Sequence, residues 1–222
     1  MRSARLAGLC GLLGFVTFNA GWIAGDLAQP AAFSPADDDI SDLGAETASS
    51  PWLYNQLAAN VSGLLVIALG VGLWRALSPS RLGRVGAAAV IATGTGTFLD
   101  GLFRLDCQGI DATCENDSWH SHAHKIESGF TVGATFAALL ILAVAFRRIP
   151  EWRDSWLPML AALPAVFLAN AAFSTLGDGA ATRAGTVVVF AAFAFVAFRL
   201  LQKGSRSRAS LGSASGGASR AS

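Results

Sequence analysis

Charge is scarce in this sequence: only 14% of its 222 residues are Asp, Glu, Lys or Arg, against 53% hydrophobic, and the mean hydropathy is +0.48. A soluble enzyme needs more charge to cover its surface, and a disordered chain has far fewer apolar residues, so both classes are excluded. Cysteine is scarce too, with three in the chain, which excludes a disulfide-dense secreted module. The net charge of +1 gives nothing in favour of nucleic acid. All three histidines fall within positions 120–124, which disfavours a bis-histidine haem held at two depths of a bilayer. There is no Gly-x-Ser-x-Gly elbow, and Thr93-Gly94-Thr95-Gly96-Thr97 lacks the lysine of a phosphate-binding loop.

Long apolar runs are abundant. They lie at Leu6–Leu27, Leu53–Leu73, Val85–Phe103, Ser128–Phe146, Trp156–Leu176 and Thr182–Leu201, each long enough as a helix to cross a hydrocarbon core about 30 Å thick. No water reaches backbone amides in lipid, so runs this long and uninterrupted are helices rather than barrel strands. Gly and Ala inside them suit close helix packing, and Pro158 and Pro164 should bend or loosen the fifth. The fold class expected is therefore all-α: an integral membrane bundle of six transmembrane helices over 1–202. The Ser-, Gly- and Arg-rich residues 203–222 read as a disordered cytoplasmic tail.

Charge sorts by side. Of the 16 basic residues, 13 fall at one set of helix ends, and only Arg104, Lys125 and Arg183 fall at the other; of the 15 acidic residues, only Glu151 and Asp154 share the basic side. The positive-inside rule then places both termini in the cytoplasm, N-in and C-in, in the plasma membrane. Trp22, Trp52 and Trp119 fall near outer ends and Trp74, Trp152 and Trp156 near inner ends, as interfacial anchors should. The first run opens like a signal peptide, but it is too long, and Asn19 and Asp26 interrupt the place where cleavage would fall, so it reads as retained.

Two long polar outer loops, 28–52 and 104–127, carry the chemistry. The first holds Asp39-Ile40-Ser41-Asp42-Leu43-Gly44, and the second holds Asp106, Cys107, Cys114 and the histidine tract. His120 and His124 share a face if the fourth helix begins early; in an extended loop, His120, His122 and His124 would instead alternate to one side. With Asp106 they form a candidate zinc site that leaves a position for water, in which Asp42 is a candidate general base and Ser41 a candidate catalytic residue. The other reading is that these are hydrogen-bonded or capping groups at a membrane surface. Cys107 and Cys114, both on the outer side, are candidates for a disulfide pinning the loop, with free thiols or soft-metal ligands as the alternatives. Asp100 and Arg183 are candidates for a charge network closing the outer mouth.

The combination of Asp39–Gly44 before Pro51, Gly101-Leu102-Phe103-Arg104-Leu105-Asp106-Cys107 with Cys114, and Trp119-His120 through His124 resembles the domain-of-unknown-function 998 family, over residues 8–201. The resemblance implies an uncharacterised prokaryotic multi-pass membrane protein, commonly with six helices. It carries over Ser41, Leu43, Gly44, Asp106 and His124, with Arg183 a weaker position; Arg104-Leu105 departs from the proline many members have there. It names no reaction. Two functions follow from the residues: a non-enzymatic carrier, sensor or accessory protein with a polar outer-face site, or a metal-dependent membrane hydrolase acting on a lipid head group. Membrane lipids are the partners in both.

Overall fold

An apolar run in lipid must satisfy its own backbone with internal hydrogen bonds, and in the computed structural model every one of the six long apolar runs does so as helix. The structure describes the backbone of residues 2–217 and the side chains of residues 3–203; among these no strand occurs. The helices are α1 (Arg2–Leu27), α2 (Leu53–Ala76), α3 (Arg81–Asp100), α4 (Trp119–Arg148), α5 (Trp156–Phe173) and α6 (Asp178–Gly217). All six are long and apolar enough to cross a membrane. α6 continues as helix to Gly217, past the Lys203 where the sequence places the start of a disordered tail; residues 218–222 lie outside the described residues.

Each helix packs on the next, and α6 closes against α1. This order puts the polar loops at one end, here called the acidic end, and the basic connections at the other. The largest fully buried side chains include Leu69, Leu73, Leu77, Leu139, Leu142, Phe146, Met159, Phe193 and Leu200, which fill the basic half of the bundle. Trp152 stacks on Phe146 at 4.8 Å and is buried at 3% exposure, so it plugs this half rather than anchoring at an interface. Leu6, Leu9, Leu13 and Val16 on α1, Phe130 and Leu140 on α4, and Leu168 on α5 are exposed, the apolar outer surface that a lipid environment demands.

Three local features set the acidic end. The first nine residues of α2, Leu53–Val61, are wound as a π-helix, whose i to i+5 spacing aligns Asn55 with Asn60. Their amides donate to the Gly44 carbonyl at 2.9 Å and the Phe98 carbonyl at 2.7 Å. α4 starts nine residues before the apolar run because Ser118 caps it, accepting from the Ser121 amide at 3.2 Å. α5 runs on as helix through Pro164 and is the least buried of the six, covering only Met159, Ala162 and Val166. After it, Gly177 turns the chain at φ 139°, a conformation L side chains rarely adopt.

Candidate functional site

The two long acidic-end loops are stitched into a single cap. Glu46 donates its amide to the Leu105 carbonyl at 3.0 Å, Thr47 donates to Asp111 at 2.5 Å, and Gln108 reaches the Asp42 carbonyl at 3.2 Å. The short helical turn Ile40–Gly44 is the buried part of this cap, with Leu43 fully enclosed. Asp42 accepts from the Gly109 amide at 3.1 Å. Burial pushes its carboxyl above the usual carboxylate range, the Gly109 amide pulls it back, and the nearby Asp39 and Asp38 charges push it further up. The sulfurs of Cys107 and Cys114 lie at bonding distance, with Cα atoms 6.1 Å apart, and close the second loop.

Beneath the cap is a cavity of about 960 Å³. One wall is apolar, formed by Phe18, Val166, Val189 and Phe190. Between α4 and α5 it is formed by Val132, Phe136 and Phe167, of which Val132 and Phe167 are exposed, so the cavity reaches the flank of the bundle there. Toward the basic end the packed core closes it.

The polar end of the cavity is a buried cluster of Asp100, His124 and Glu127, each offering a nitrogen or oxygen within 4.8 Å of the others. His124 Nδ1 is 3.1 Å from Asp100 Oδ1 and 3.0 Å from the Phe103 carbonyl. Tyr54 donates its hydroxyl to Asp100 Oδ2 at 2.8 Å, and Thr131 donates to Glu127 Oε1 at 2.5 Å. Gly96 makes room for this packing of α3 on α4, since a Cβ there would fall on Thr131 Oγ1. Glu127 Oε2 is buried without a hydrogen-bond partner.

Of the residues singled out in the sequence, Ser41, Asp42, Asp100 and His124 line this one cavity. The expected ligand set does not converge: His120, His124 and Asp106 share no such cluster among the described residues, and Asp100 and Glu127 stand beside His124 instead. His120 lies in the first turn of α4 and stacks on Trp119 at 4.1 Å. His122 is exposed, with Nδ1 2.8 Å from the Ser118 carbonyl. Asp106 holds the start of α4, accepting from the Ser118 amide at 2.9 Å; the Ser118 hydroxyl and amide hold its carboxyl below the usual range. Asp100 and Arg183 belong to separate networks. Arg183 forks onto Asp26 at 2.7 and 3.1 Å and donates to the Asp38 carbonyl at 2.7 Å, tying α6 to α1 and to the cap. Glu127 was the ligand candidate missed, although its i+3 spacing from His124 marks a shared helix face.

This is a six-helix bundle of membrane-spanning type, capped at its acidic end over a cavity with one buried acidic and imidazole-bearing cluster. The chain belongs to the family described as protein of unknown function (DUF998), which matches residues 12–199. No curated protein and no solved structure matches it.

Proposed function

We propose that the chain binds an amphiphile of the outer membrane leaflet, head group at the Asp100, His124 and Glu127 cluster and apolar tail along Phe18, Val166 and Phe190. In this role it is a carrier, sensor or accessory protein of the plasma membrane rather than a channel. One observation carries the reading: a single cavity joins an apolar wall to a buried polar cluster and reaches the flank of the bundle between α4 and α5. Its volume of about 960 Å³ lies at the upper end of the range for a small-molecule site, roughly 300–1,000 Å³. The packed basic half argues against a path through to the other side. The positive-inside rule, which sets the acidic end outside, supports the outer leaflet as the source.

The hydrolase reading is favoured by one feature, the unpartnered oxygen of Glu127, a residue that lines the same cavity, and it needs a bound cation. The binding reading is tested by lipid analysis of protein purified in mild detergent. The wild type should retain about one amphiphile per chain, and Val189→Trp, which fills the cavity beside Phe190, should retain less than a fifth of that. Equal retention by the two, or none by the wild type, contradicts it.

A further inference from the structure

Two carboxylates and an imidazole at the end of a cavity are an expensive arrangement. Asp100 and Glu127 are like charges close together and largely out of water, and the cluster itself holds no lysine or arginine. The nearest basic groups are committed elsewhere: Arg183 forks onto Asp26, and Lys125 Nζ points to the Asn116 carbonyl at 3.5 Å. Thr131 satisfies one oxygen of Glu127, but Oε2 is buried and unpaired on a residue only 6% exposed. A buried carboxylate oxygen with no donor is stabilised by a positive charge brought against it.

The imidazole of His124 presents Nδ1 to this cluster: it lies 3.1 Å from Asp100 Oδ1 and 3.0 Å from the Phe103 carbonyl, and with the proton on Nε2 its lone pair is available to a cation shared with Asp100. Asp100 is in turn held by the Tyr54 hydroxyl at 2.8 Å, the second layer of support that ligand carboxylates receive. His124 is 7% exposed, and all three side chains line the cavity.

We propose that Asp100, His124 and Glu127 bind one divalent transition-metal cation, zinc being an ion that accepts such a mixed nitrogen and oxygen ligand set. Three protein ligands leave a tetrahedral ion one position for water or a head-group oxygen. Bonds of about 2 Å set tetrahedral ligand atoms about 3.3 Å apart. The present separations of up to 4.8 Å close to that by side-chain movements of the order of an ångström. The cation neutralises the paired carboxylates and gives Glu127 Oε2 a partner. The cation site stands on its own ligands; only its role as the head-group contact rests on the amphiphile reading.

The test is competition for Zn²⁺ between the detergent-purified protein and a chromogenic chelator. Wild type and His120→Ala should each bind about one zinc per chain. Glu127→Gln, which keeps shape and the Thr131 contact, and His124→Ala should bind at least a hundredfold more weakly, and Tyr54→Phe about tenfold more weakly. Thermal unfolding with and without Zn²⁺ provides a check on folding, since zinc should raise the midpoint of the wild type and leave that of Glu127→Gln unmoved. A wild type that takes no zinc above the detergent blank, or a Glu127→Gln variant that takes it as tightly as wild type, overturns the site. Val189→Trp separates the two proposals: it should lose lipid and keep its zinc, so loss of lipid binding alone leaves the cation site standing.

Discussion

At the scale of single residues, the charges of the acidic end divide by whether they have a partner. Arg183 is 6% exposed and paired through Nε and Nη2 to Asp26, with Nη1 donating to the Asp38 and Gly179 carbonyls. Trp22 lies 6.0 Å beneath it. Removing one member of such a pair leaves the other charge buried alone, so Arg183→Ala should destabilise the bundle by about 3–5 kcal/mol. The apolar double substitution Arg183→Met with Asp26→Leu should recover most of the loss, as read from thermal unfolding in detergent. Neither change touches the cluster at His124. The sequence marked Arg183 and Asp100 as candidates for one charge network, but it carries no information on pairing: Asp26 and Arg183 meet only because α6 closes the ring against α1. The same limit applies to the histidines. His120 and His124 do share α4, yet the first turn extends beyond the packed bundle, where His120 meets Trp119, while His124 is one turn deeper and meets α3.

At the scale of elements, the fourth helix and the first loop explain why the cap forms. The apolar run alone sets the start of α4 at Ser128, whereas the helix begins at Trp119 because Ser118 caps it and Asp106 holds Ser118. That early start sets His120 and His124 four apart on one helix in place of an extended His-x-His-x-His string, yet only His124 reaches the cluster. It also put Glu127 on the helix face of His124, a partner that a hydropathy boundary hides by treating 104–127 as loop. The Ile40–Gly44 turn was legible as a site through the motif it shares with the family and through its Ser41 and Asp42; the structure shows that turn buried against the second loop. Its Asp42 gives a pH dependence of definite sign. A carboxyl whose folded pKa is raised binds its proton more tightly when folded. Its contribution to stability is therefore fully present below the unfolded value of 3.8 and is lost as pH rises through the folded pKa. Asp42→Asn removes this term while leaving an oxygen for the Gly109 amide. The variant should lose less stability than wild type between pH 4 and pH 7, measured by unfolding midpoints, and a wild type that loses less than the variant over that range contradicts the burial of Asp42.

At the scale of the whole molecule, the bundle is asymmetric along its axis. The basic half is filled by Leu139, Leu142, Phe146, Phe193 and Leu200, while the acidic half is hollow beneath a cap tied to α6 through Ala36 and Arg183. The six helices were readable from hydropathy and length, because hydrophobic thickness and backbone satisfaction leave few alternatives, and the family from its motifs at Asp39–Gly44, Gly101–Cys107 and Trp119–His124. The hollow was not readable. It arises where α5, past Pro164, leaves its acidic-end half exposed and weakly packed against α4, a tertiary result of three helices at once.

The central claim is that this hollow admits membrane amphiphiles, and it is tested most directly by a photoreactive benzophenone side chain placed at Thr186 on the cavity face of α6. The same group at Leu9, on the exposed apolar face of α1, serves as the lipid-facing control, and at Leu142, in the sealed core, as the excluded one. After irradiation in native membranes and intact-mass analysis, lipid adducts are predicted at Thr186 and Leu9 and not at Leu142. Adducts at Leu9 alone would show that lipid stays outside the bundle, and the account would fail.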